Sequence, residues 1–370
     1  MKIAVVGIGG TGSAALRFLA MSGHETVGYE QFEVGHTRGS SHGESRIIRY
    51  TYPDSVYTAM MSDAYPLWHA LEEEAQQELF VRCGGVYFGP QDDPKVLATE
   101  TALIDNNLPY KKLGPEAAHD RVSGLTFLKD EVALFQKESG FLRSSACVLA
   151  NARLAQQHGA TLHQNVEVQA VEPYGRQVVV RTADDEQLFD RVIVTAGSWL
   201  GHLFTQLRLP LKVTRQQVVY LKPHDKPELF DAKRFPVWID AGAGYYGFPN
   251  DSRVPGVKFA AHELGEEVHP GHEQRAVDEW YLERAIKFAD LRLPLLSAEV
   301  THSLTCLYTN TPDEDFILDQ MPNAENIWLV SGCSGHGFKF TVLLGYIAAA
   351  LATGGEYARD LSRFALQRFH

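Results

Sequence analysis

The chain has 370 residues, 45% hydrophobic and 22% charged, and a formal charge of −12. That balance excludes a disordered chain and a membrane bundle, and the length suggests two domains or three. An acidic chain with no long basic run argues against a nucleic-acid partner.

In chain order, a short apolar run at 2–6 predicts a strand. Gly7-Ile8-Gly9-Gly10-Thr11-Gly12 follows, then a helical stretch over 13–21 and a second strand over 25–29 that ends at Glu30. A helix is predicted over 56–77 with a breaker at Pro66, and strands over 79–82, 86–88 and 132–135. Residues 144–158 read as a helix. Residues 161–171, 177–181 and 192–195 read as strands, the last closed by Ala196-Gly197. Further strands are predicted over 213–222, 237–240, 245–248 and 257–261, an amphipathic helix over 273–291, and a last strand over 327–331. The apolar stretch 340–353 is shorter than the roughly 20 residues a membrane crossing needs, so it reads as a buried helix. No signal peptide is visible. Cys83, Cys147, Cys306 and Cys333 are scattered without a CxxC pair, so neither a metal site nor a disulfide framework is expected. A cytoplasmic protein without a membrane partner fits these features.

The first thirty residues form a β-α-β unit with G-x-G-x-x-G at its first turn and an acid about 20 residues on. Gly7 permits the tight turn, Gly9 lets the backbone approach a pyrophosphate, and Gly12 lets helix and strand pack closely. The helix N-terminus offers amides to phosphates, and Glu30 can accept from ribose hydroxyls. A glycine-rich turn without a ligand is the plain alternative, and the motif alone does not separate NAD from FAD. The α/β texture returns in the middle and at the end of the chain, between strand-rich stretches, which suits a flavoprotein better than a two-half dehydrogenase.

Four clusters carry chemistry-bearing residues. Residues 39–49 form a polar loop with Arg46 and Arg49 entering a strand; paired guanidiniums suit phosphate, carboxylate or a negative flavin, though a solvated loop would look the same. Tyr245-Tyr246-Gly247-Phe248-Pro249, with Lys258 and His262, could wall a pocket or be structural. Cys306, in Thr305-Cys306-Leu307-Tyr308-Thr309, is a buried small residue, a nucleophile or a flavin attachment point. The fourth, Ser334-Gly335-His336-Gly337-Phe338-Lys339, sets glycine-rich amides and a lysine before a helix.

Taken together, GIGGTG with Glu30, SSHGESRIIR, YYGFP, the Lys258 to His262 spacing, TCLYTNTPDEDFILD and SGHGFKF resemble the monomeric sarcosine oxidase family, which includes N-methyltryptophan oxidase and pipecolate oxidase. The segments run in family order over nearly the whole chain. The resemblance implies an α/β fold: a discontinuous FAD-binding Rossmann-like domain over 1–84, 140–212 and 305–370, and a mixed or antiparallel-sheet substrate domain over 85–139 and 213–304. It implies that Gly7, Gly9, Gly12 and Glu30 hold the ADP half of FAD, that Val168 and Gly197 also bind the cofactor, and that Cys306 carries the flavin through a thioether. His42, Ser45, Arg46, Tyr308, Gly335 and Gly337 would surround the flavin. Arg49 and Lys339 would hold the substrate carboxylate, Lys258 would activate oxygen, and Tyr246 and His262 would line the substrate cavity. The activity implied is oxidation of an N-methyl or cyclic amino acid by oxygen, releasing hydrogen peroxide, by a monomer.

Some positions depart from the family pattern. Ser45 stands where Thr is common and Glu44 where Asp is common, and Tyr50-Thr51-Tyr52-Pro53-Asp54 replaces His-Ala-Tyr-Gly-Glu. Residues 238–242 also differ, so the substrate side chain stays open. Alternatives are a dehydrogenase of the same fold, an NAD enzyme, and a non-catalytic flavin-binding module.

Overall fold

The computed structural model describes residues 1–271 and 276–369. Its α/β sheet has six strands in the order Ile317–Met321, Ala324–Ser331, Arg191–Val194, Lys2–Val6, Glu25–Glu30, Thr161–Gln164. All neighbours are parallel except the first pair. The strands come from the start, middle and end of the chain, as the interleaved textures predict. Such a sheet is covered on both faces, which is why Lys2–Val6 reads as a nearly unbroken apolar run. The helix Gly10–Met21 lies over it, and Thr341–Ala352 packs against that helix. A Cβ at Gly345 would stand 2.6 Å from Ala14 Cβ, so the two helices approach closely because residue 345 has no side chain. The apolar 340–353 stretch is thus a core helix, and no helix among the described residues is long and apolar enough to cross a membrane.

The second large sheet is mixed. Its path runs Glu266–Glu267, Lys212–Pro223, Val257–Ala261, Tyr245–Gly247, Val237–Asp240, Gly85–Pro90, Glu131–Gln136, Lys111–Leu113, with Leu296–Asn310 also on Lys212–Pro223. Only Val237–Asp240 and Gly85–Pro90 pair in parallel. Trp238, Phe259 and Tyr245 pack on the helix Glu279–Arg292, with Tyr245 stacked on Phe288 at 3.8 Å. Arg292 closes this core. It meets Glu131 at 2.5 and 2.8 Å and Asp240 at 3.0 Å, all three buried. Asp240 Oδ1 accepts from the Ala243 N–H at 2.8 Å, so the ion cluster also fixes the turn that leads into Tyr245 and Tyr246.

Several expected elements differ. Pro66 does not break its helix: Ser55–Ala75 is continuous. The proline is exposed, so water can serve the carbonyl it leaves unbonded, while Tyr57, Met61, Tyr65 and Trp68 anchor the other face in the core. The expected strand over 161–171 is two strands, Thr161–Gln164 and Ala170–Tyr174, parted at Asn165, which adopts φ 58°. The helix expected over 273–291 is Glu279–Arg292; its expected start at 273–275 lies outside the described residues. The strand Leu296–Asn310 and the helices Pro94–Asp105 and Pro115–Arg121 were not anticipated.

Candidate active site

A long cleft opens at the carboxyl ends of the parallel strands, the usual ligand position in such sheets. Val6 and Gly7, Glu30, Thr195 to Gly197, and Ser331 with Gly332 each end a strand and line it. Gly7 adopts φ +90°, and a Cβ there would lie 2.8 Å from the Thr195 carbonyl. At Gly12 a Cβ would fall 1.9 Å from the Gly7 carbonyl, so this glycine sets the helix against the turn and does not line the cleft. Gly9 faces Ser41, whose Oγ accepts from the Gly10 N–H at 3.0 Å. Glu30 Oε2 accepts from the Ile8 N–H at 2.8 Å, and Oε1 from the Phe32 N–H at 3.1 Å. Burial raises the Glu30 carboxyl above its usual range, against the pull of these amides. Val168 and Gly197 also stand in the wall.

The other end of the cleft is ringed by Arg46, Tyr308, Gly335 and Gly337. Arg46 enters on the short strand Arg46–Ile48, which pairs with Gly140–Leu142. Its guanidinium donates to the carbonyls of Ser45 at 2.9 Å, Ser40 at 3.0 Å and His42 at 2.7 Å. Lys258, on Val257–Ala261, donates to the Ser45 carbonyl at 2.9 Å and to Ser45 Oγ at 3.0 Å, and stands 4.4 Å from the Phe248 ring centre. Burial, and next the Arg46 charge, push the Lys258 amine well below the usual lysine range. Ser45 and His42 are buried and hold these cations from behind. Tyr246 and Tyr308 meet at 3.5 Å through their hydroxyls. Cys306, two residues before Tyr308 on the same strand, is buried and close enough to Tyr246 and Lys258 to influence the proton affinity of both. Gly335, at φ +76°, brings the loop onto the Tyr308 ring; a Cβ there would overlap it at 2.2 Å.

Beside this end lie Arg49 and Lys339. The Arg49 guanidinium sits 4.2 Å from the Tyr52 ring centre and donates to Thr51 Oγ1 at 3.4 Å. Lys339 Nζ donates to the Tyr52 hydroxyl at 2.8 Å and to the His336 carbonyl at 2.7 Å. Among the described residues neither cation pairs with a carboxylate. Burial and the Arg49 charge push Lys339 well below the usual lysine range. His262 lies 6.0 Å from Tyr308, ring to ring, and its backbone N–H donates to Gly244. Burial, then Arg49, Lys339 and Lys95, lower its imidazole to about 4, so it is neutral at ordinary pH.

The geometry therefore gathers Arg46, Arg49, Lys258, Lys339, Tyr246, Tyr308, Cys306 and His262 around one end of the cleft, and Gly7, Gly9, Glu30, Val168 and Gly197 at the other. Ser41, Tyr52 and Cys333 stand in the sequence reading without a role of their own: Ser41 within the polar loop 39–49, Tyr52 within the segment 50–54 that departs from the family pattern, and Cys333 as one of four scattered cysteines. The loop and the departing segment pointed to the cavity, but no sequence signal showed that Tyr52 would meet both Arg49 and Lys339. FAD fits this cleft. Its floor is the Gly7 turn, which lies so close to the Thr195 carbonyl that a Cβ there would collide with it. Its nucleotide end carries the buried Glu30 carboxylate, and its other end presents Arg46 and Lys258, which among the described residues have no carboxylate partner and suit an electron-rich ring.

Comparison with known proteins gives the same direction. A family model described as FAD dependent oxidoreductase matches residues 2–351. The chain is 33% identical over 368 residues to monomeric sarcosine oxidase of Streptomyces avermitilis, covering 98% of this chain and 96% of that one. It is 31% identical to N-methyl-L-tryptophan oxidase of Citrobacter koseri, covering 99% and 98%. Among solved structures, NikD, an amino acid oxidase essential for nikkomycin biosynthesis, superposes with a TM-score of 0.86 at 24% identity, covering 98% and 96%. L-proline dehydrogenase from P. horikoshii gives 0.86 at 20%, covering 100% and 97%. The chain belongs to the FAD-dependent oxidoreductase family.

Proposed function

We propose that the protein oxidises a secondary amino acid, N-methyl or cyclic, to its imine while oxygen is reduced to hydrogen peroxide. The observation that carries this reading is the pair Arg49 and Lys339, two cations that among the described residues have no carboxylate partner, at the flavin end of the cleft. A bound flavin would accept the two electrons and the hydrogen taken from the substrate C–H bond and pass the electrons to oxygen. Arg49 and Lys339 would hold the substrate carboxylate and orient that bond. Their positive field also favours the uncharged substrate amine, the form that can release hydride. His262, neutral beside them, offers a wall without adding charge, and Tyr246, in contact with Tyr308 through its hydroxyl, would line the same cavity. Lys258 and Arg46 would stabilise negative charge as oxygen is reduced.

Cys306 is the proposed covalent attachment point, supported by its place beside Lys258 and Tyr246 and by the likeness to sarcosine oxidases. The proposed FAD-binding domain comprises 1–84, 140–212 and 305–370, and the substrate domain 85–139 and 213–304. Position 305 falls within Leu296–Asn310, so one strand would join the two. A cytoplasmic monomer is the proposed state, after relatives named monomeric.

Oxygen uptake with a panel of sarcosine, N-methyl aromatic amino acids, pipecolate and proline tests the activity. Uptake with matching peroxide is expected for at least one; none with a flavin-loaded sample would refute the reading. Acid precipitation tests the attachment. Yellow colour should stay with the pellet and move to the supernatant in Cys306→Ser, and a colourless wild-type pellet would refute it.

A further inference from the structure

Lys339 has three N–H groups, and the described residues take two, at Tyr52 and at the His336 carbonyl. Tyr52 is buried, its ring lies under Arg49 and its hydroxyl under Lys339. One side chain thus carries both cations.

His336 sets the direction of the Tyr52 proton. Its Nε2 lies 3.0 Å from the Glu314 carbonyl, which can only accept, so Nε2 bears the hydrogen. Burial, and next Lys339, lower this imidazole to about 3, so the ring is neutral and Nδ1 is a bare acceptor. The Tyr52 hydroxyl stands 3.3 Å from Nδ1 and 3.4 Å from the His336 carbonyl. By either route its proton goes to His336, and a lone pair on its oxygen faces Lys339. The His336 ring is itself wedged, stacked on Phe316 at 4.8 Å and edge-on to Tyr57 at 5.0 Å.

We infer that Tyr52 and His336 are positioning residues for the cation pair: His336 fixes the Tyr52 hydroxyl, and Tyr52 aims the third N–H of Lys339 and the Arg49 guanidinium at one incoming carboxylate. A neutral phenol does this without competing for the cations, as a carboxylate would. The inference rests on the reading of Arg49 and Lys339 as the carboxylate pair.

The test is the affinity of flavin-loaded protein for propionate, a carboxylate without an amine, read from the shift of the flavin absorption band. Tyr52→Phe keeps the ring and should weaken binding about tenfold, the usual cost of losing a hydrogen bond to a charged group. His336→Phe keeps the stacking and should weaken it several-fold in the wild-type background and not at all in Tyr52→Phe. A merely structural role for His336 would weaken binding equally in both backgrounds and would overturn the inference, as would unchanged affinity in Tyr52→Phe. If His336→Phe yields no folded protein, His336→Gln takes its place in the same cycle. Arg49→Met and Lys339→Met separate the two readings. Unchanged propionate affinity in these variants overturns the carboxylate pair itself, whereas weakened affinity here with none in Tyr52→Phe overturns the positioning role alone.

Discussion

Lys258 and Lys339 are both buried lysines without a carboxylate partner among the described residues, yet their surroundings differ. Lys258 is held by Ser45 and faces Arg46; Lys339 is held by Tyr52 and faces Arg49. Replacing Lys258 by Met should slow the reaction with oxygen by about 10²–10³-fold, the usual loss when one preorganised positive group is removed, and leave reduction by substrate unchanged. Stopped-flow measurement of the two half-reactions checks this; slowed reduction with normal reoxidation would contradict it. Lys339 makes carboxylate binding depend on pH. Its amine titrates below the usual lysine value in the empty cavity and must be protonated to bind an anion. Affinity for propionate should therefore fall as pH rises through that lowered value, and Lys339→Met should lose most of the dependence.

Among the elements, the loop 332–337 depends on Gly335. Its positive φ and the overlap of any Cβ with Tyr308 predict that Gly335→Ala displaces the loop or the ring, and that the purified variant carries less flavin per chain. The Arg292 cluster makes a second prediction. Arg292→Met leaves Glu131 and Asp240 buried without their cation and should destabilise the protein by about 3–5 kcal/mol in denaturant titration. The β-α-β turn was legible because its glycines, helix and acid are local. The strand Leu296–Asn310 was not: its burial follows no clean alternation, because threonines, serines and histidines stand where one face should be apolar. Pro66 misled for a similar reason, since the buried face that carries the helix past it comes from tertiary packing.

For the whole molecule, the ends of the cleft are built from distant segments. Lys339 meets Tyr52 across 287 residues, and Lys258 meets Ser45 across 213. Residue types and their order were enough to suggest the cofactor, but not which side chains support which, because those contacts form only when the two large sheets assemble. The same assembly buries neutral histidines. His262 and His336 titrate near 4 and 3 when folded, below the ordinary value of 6.5. Between those limits the unfolded chain binds protons that the folded one does not, so stability is present above pH 6.5 and is lost as pH falls toward 4. Melting temperatures of the flavin-free protein should show this slope, and the double variant His262→Gln/His336→Gln should flatten it.

The most direct measurement is anaerobic mixing of the flavin-loaded protein with each amino acid of the panel, and with the corresponding amine that lacks the carboxylate. At least one secondary amino acid should bleach the flavin band, its carboxylate-free counterpart should do so much more slowly, and colour should return with peroxide when air is admitted. Equal bleaching by the two, or none by any amino acid, would contradict the role given to Arg49 and Lys339.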